Sequence, residues 1–102
     1  MSTLHTVNKS PFERNNLDSC LTHALPGDAI LLFEDAVYAA LQGTSIAARM
    51  ADAAKTCKVY VLDADLKARG GNPANVIPGI SVVDYGGFVD LAAANKTVNA
   101  WL

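Results

Sequence analysis

Ala29-Ile30-Leu31-Leu32-Phe33 is apolar at every position, so neither of its two alternating sets of side chains is suited to water. A strand with one wet face alternates apolar with polar residues. An unbroken run of this length reads instead as a central strand covered on both sides. Pro26-Gly27-Asp28 precedes the run and Glu34-Asp35 closes it. A sheet covered on both sides implies helical layers above and below it, which is the α/β arrangement.

Working outward from this run, strand and helix signals alternate. Thr3 to Val7 reads as a first strand and Asn8-Lys9 as its turn. Ser10-Pro11-Phe12-Glu13 has the form of a capping box with proline at the first helical position, which predicts a helix to about Leu25 with Leu17, Leu21, Ala24 and Leu25 on one face. A short helix, Ala36 to Leu41, follows the central strand and ends before Gly43. Thr44 is placed to cap another from Ser45 to about Thr56, with Ile46, Met50 and Ala53-Ala54 as its stripe. Val59 to Leu62 is a third strand, Asp63 or Asp65 opens a short helix, and Gly70-Gly71-Asn72-Pro73 is a loop. Ile80 to Val83, a helix from Tyr85 to Ala94, and a last strand Thr97 to Trp101 complete the order. The expected architecture is α/β: one small domain over residues 1–102, a parallel sheet with right-handed crossovers and helices on both faces, layered as in flavodoxin-like proteins.

Composition narrows the function. With 102 residues, 51% of them apolar and 18% charged, the chain supports one packed core and is not a disordered segment. Its net charge is -2, and Lys55, Lys58, Lys67 and Arg69 are diluted by Asp52, Asp63 and Asp65, so no basic face is expected to track nucleic acid directly. No apolar run approaches the roughly 20 residues of a membrane span. His5, Asn8 and Lys9 stand where a signal peptide would be apolar, so the chain is expected to be cytoplasmic. Cys20 and Cys57 lack CxxC spacing. A zinc site would need both thiolates with His5 and His23 at no recognised spacing, so no metal is expected and the thiols should be reduced.

Few residues suit chemistry. Cys20 falls at the border of the Leu17/Leu21 stripe, half buried by its angle, with His23 three residues on and close enough to support a thiolate. A sulfur-accepting thiol competes here with a small residue at the core edge. Cys57 beside Lys58, and His5 on the first strand, read as structural. Lys9 and the amides after Ser10 make at most a minor anion site, because GxGxxG and P-loop glycines are absent and no cofactor is expected. Glu34-Asp35 reads as a solvated strand end, and none of Ser10, Ser19, Ser45 or Ser81 lies in GxSxG. Trp101-Leu102 and Phe88/Val89/Leu91 suggest either a plugged core or a subunit interface.

The block Leu4-His5-Thr6-Val7-Asn8-Lys9-Ser10-Pro11, Cys20, and the block Leu32-Phe33-Glu34-Asp35-Ala36-Val37-Tyr38-Ala39-Ala40 resemble the TusB/DsrH family. So do Leu62 to Gly70, Ile80 to Leu91, and Trp101, with wording nearer to DsrH than to TusB. The resemblance implies the small DsrE-like fold and membership of a cytoplasmic heterohexamer, two copies each of DsrE-like, DsrF-like and DsrH-like subunits. A TusA-like donor would feed it persulfide sulfur. The acceptor would be DsrC in sulfur oxidation, or TusE on the way to 2-thiouridine at the tRNA wobble position, the former being the expected pathway. In this family the principal persulfide cysteine belongs to the DsrE/TusD partner, in a loop after a strand, and no cysteine here occupies such a loop. The resemblance therefore leaves Cys20 as a secondary sulfur acceptor or as no carrier at all.

Overall fold

The central run does form an inner strand. In the computed structural model, which describes residues 3–101, β2 (Ala29–Leu32) is buried at all four positions and pairs with β1 (Thr3–Val7) on one side and β3 (Lys58–Leu62) on the other. β4 (Ile80–Val83) lies outside β3 and β5 (Thr97–Trp101) outside β1, giving an all-parallel sheet in the order β4-β3-β2-β1-β5. Fully burying each aliphatic side chain of such a strand is worth about 1.5–3 kcal/mol.

The strand order decides how the helices are distributed. From β1 to β4 the chain steps one strand at a time in a single direction, through α1 (Asn16–His23), α2 (Ala47–Thr56) and α3 (Asp63–Ala68). Right-handed crossovers in one direction all fall on one face. α4 (Tyr85–Ala94) then returns across the whole sheet from β4 to β5, which places it on the opposite face. The packing follows. Val7, Ile30, Leu32, Val59 and Val61 form the larger core with Leu17, Cys20, Met50 and Leu66. Leu4, Ala29 and Leu31, of the other parity, form a smaller cluster with Tyr60, Val83 and the α4 residues Phe88, Leu91 and Ala92.

The expected bounds of β1, β4, α4 and β5 match the structure residue for residue, whereas the first helix is shorter than the capping box predicts. Ser10 Oγ accepts the Phe12 N–H at 3.2 Å, and the Ser10 carbonyl accepts the N–H groups of Glu13 and Arg14, closing a single turn. The α-helix proper begins only at Asn16. Asn15 and Asn16 stand at its start, and asparagine is a residue type that disfavours continuing a helix through it. Nor does Thr44 cap α2, which starts three residues later; its hydroxyl is buried without a partner among the described residues. The short helix after β2 is a 3-10 segment, Glu34–Ala40. Its end is held by a contact absent from the sequence reading, an antiparallel bridge of Leu41 to Val76 with the Ile77 N–H on the Ala40 carbonyl at 2.8 Å.

Candidate functional site

α1 turns Leu17 and Cys20 onto the sheet, and Cys20 is completely buried rather than half buried. Its thiol is pushed up to about 12, first by burial and then by the neighbouring Cys57 and Asp28. A thiol raised so far is a poor nucleophile, because the thiolate is the reacting form. Burial also raises Cys57, partly offset by a hydrogen bond from Thr56, and its Sγ–H donates to the Leu25 carbonyl at 3.5 Å.

His23 does not support Cys20. Its Nδ1–H donates to the Ser19 carbonyl at 2.8 Å and its ring lies 5.5 Å from that of Trp101. His5, read as a lone structural residue, is instead the centre of a buried polar line. Its Nε2 is 2.9 Å from Asp28 Oδ2, and its Nδ1 is 3.1 Å from the Trp101 indole nitrogen. Asp28 also accepts the backbone N–H groups of Thr3 at 3.1 Å and Leu25 at 3.0 Å. Burial alone would raise this carboxyl; the Leu25 N–H, His5 and the Thr3 N–H outweigh it and hold Asp28 below the ordinary value. Sequence reasoning took Asp28 only for part of the Pro26-Gly27-Asp28 stretch that precedes the central strand. The available signal was a charged residue placed directly ahead of a strand with no polar position.

At the carboxyl ends of the strands the acidic residues brace loops. Glu34 takes a left-handed φ of 48°, and the Asp65 carboxylate accepts its N–H at 2.7 Å. Asp35 is bound by Arg69 at 2.8 Å. The pair Glu34-Asp35 thus opens the 3-10 segment and is not a strand end. Because the helix starts at Asn16, the amides behind Lys9 form one turn and not a helix N-terminus. A cavity of about 200 Å³ opens at the amino ends of β2 and β3, walled by Gly27, Lys58, Tyr60, Leu91 and Asn95 among others. Among the described residues no three His, Cys, Asp or Glu side chains gather as metal ligands, and no helix is long and apolar enough to cross a membrane.

These features define a parallel α/β protein whose thiols are packed into its core, with one thinly covered sheet face. Solved structures share that fold: the ychN protein of E. coli superposes with a TM-score of 0.80 at 18% identity over 98% of this chain and 99% of that one. MTH1491 of Methanobacterium thermoautotrophicum gives 0.72 at 10% identity, over 97% and 96%.

The model of the family described as DsrH like protein matches residues 9–98, and the chain belongs to this family. Among curated relatives it is 40% identical to Protein TusB of Erwinia tasmaniensis and 36% identical to Protein TusB of Pectobacterium parmentieri, each over 96% of this chain and 99% of the relative. These relatives carry the TusB name, against the sequence reading's lean towards DsrH of sulfur oxidation.

Proposed function

We propose that this chain is the TusB-type subunit of a cytoplasmic sulfur-relay assembly that passes persulfide sulfur towards 2-thiouridine at the tRNA wobble position. Its sisters would be TusC- and TusD-like (DsrF- and DsrE-like) chains, its donor TusA-like and its acceptor TusE-like. Its part is to complete the assembly, while the persulfide cysteine resides on the sister chain. The observation that carries this reading is similarity to curated TusB proteins across nearly the whole chain, in a structure whose Cys20 is buried and its thiol pushed up by that burial. The exposed α4 side suits the assembly role: Tyr85 and Val89 are 59% and 65% exposed one turn apart, and Val98 of β5 is bare on the same side of the sheet.

Two substitutions in the co-expressed complex test it. Cys20→Ser is expected to leave labelled-sulfur transfer to the acceptor at wild-type yield. A loss of ten-fold or more would instead support Cys20 as a secondary carrier. Val89→Asp is expected to remove this chain from the complex in size-exclusion chromatography while its circular dichroism is unchanged, because a charge would be desolvated at the contact. An intact complex would overturn α4 as the contact surface.

A further inference from the structure

Trp101, His5 and Asp28 are joined across three separate parts of the chain by hydrogen bonds of 3.1 and 2.9 Å. Indole nitrogen can only donate, so His5 Nδ1 must offer its lone pair, and the ionised carboxylate can only accept, so His5 Nε2 must carry the proton. Only the neutral Nε2–H form of His5 satisfies both neighbours. An imidazolium donates from both nitrogens, and its Nδ1–H would then face the indole N–H, two donors on one line.

Trp101 is also the inward anchor of β5. The other four residues of that strand are exposed, and the indole alone is half buried, between the rings of His5 at 6.2 Å and His23 at 5.5 Å. We infer that the Trp101–His5–Asp28 line is a proton-operated latch on the edge strand: neutral His5 holds the indole and closes β5 on β1, and protonated His5 releases it.

The groups around His5 set the direction. Asp28, in the turn before β2, is the charged neighbour, 2.9 Å from Nε2. From α1 come His23, on the far side of the indole, and Cys20; Cys57 stands at the head of β3. Burial pushes both thiols up, which disfavours their charged forms. The β2 partner is Ile30 and the β5 partner Asn99, neither charged. Protonation therefore keeps the His5–Asp28 contact and gives up only the indole, so the sheet stays intact while its edge opens.

Histidine changes charge between about pH 5 and 8, and that window is the one to probe. In the full-length chain, amide hydrogen exchange corrected for intrinsic rates is expected to show β5 protection falling about ten-fold from the top to the bottom of that range, the scale of one hydrogen bond. β2 and β3 should hold constant. Trp101→Phe, which keeps a ring but no N–H, should show reduced β5 protection that no longer varies with pH, and His5→Gln should also remove the pH dependence. Nitrogen-15 spectra of His5 at the alkaline end should show the Nε2–H form. A wild-type β5 protection that stays level while His5 becomes an imidazolium would overturn the latch. So would a decline that survives in Trp101→Phe or His5→Gln.

Discussion

Replacing Asp28 with alanine is expected to destabilise the chain by on the order of 3–5 kcal/mol, measured by urea denaturation at fixed protein concentration. The carboxylate is 4% exposed and accepts from Thr3 N–H, Leu25 N–H and His5. Alanine would leave all three donors unpaired in a place water does not reach, and the cost of unpaired donors exceeds the value of the bonds themselves. Asp28→Asn keeps the shape and one acceptor, so it should cost less. It also separates the charge, and here the sign is definite. The folded carboxyl lies below its ordinary value of 3.8, so its contribution is full above that pH and is lost as the pH falls through the lower, folded value. The wild-type protein should therefore lose this increment in acid and Asp28→Asn should not. Parallel acid denaturation curves would show that the charge contributes nothing.

Leu66→Ala should rank beside it, at about 2–5 kcal/mol by the same measurement. Leu66 is the one buried residue of the six-residue α3 and so its apolar anchor in the core. α3 and the residue after it carry two loop braces, Asp65 on the Glu34 N–H and Arg69 on Asp35, and both should loosen when the helix is no longer seated. Gly71 supplies an internal check. A Cβ there would collide with the Leu66 side chain and would stand 3.1 Å from the Leu66 carbonyl. Gly71→Ala alone should destabilise, and it should cost less once Leu66 is alanine, a coupling that a double-mutant cycle reads directly. Additive costs would mean the two residues do not share space.

These two positions also mark what the amino-acid order could reveal. Strands were legible wherever an apolar run met turn residues, as at Ala29 between Pro26-Gly27-Asp28 and Glu34-Asp35. α4 was placed at its observed bounds, and the structure adds the cap that the sequence reading did not use, Asp84 accepting the Gly87 N–H. The first helix was misjudged because Ser10 satisfies the donors of an isolated turn, which looks the same in sequence as the first turn of a helix. Cys20 was read as half buried from its helical angle alone. Its full burial depends on neighbours such as Leu32, Met50 and Cys57, which the sheet delivers from distant parts of the chain. His5 and Trp101 are 96 positions apart, and their meeting requires β5 to return beside β1, a pairing that no local pattern encodes.

That return has a consequence of its own. One ten-residue helix has to roof five strands, and an α-helix with its side chains is only about 10–12 Å across, well short of the sheet's width at roughly 4.8 Å per strand. The shortfall is geometric and no choice of side chains within α4 can remove it. A molecule wound in this strand sequence keeps a strip of sheet that its return helix leaves bare, whatever side chains that helix carries, and that strip is where the proposed assembly would set a second body.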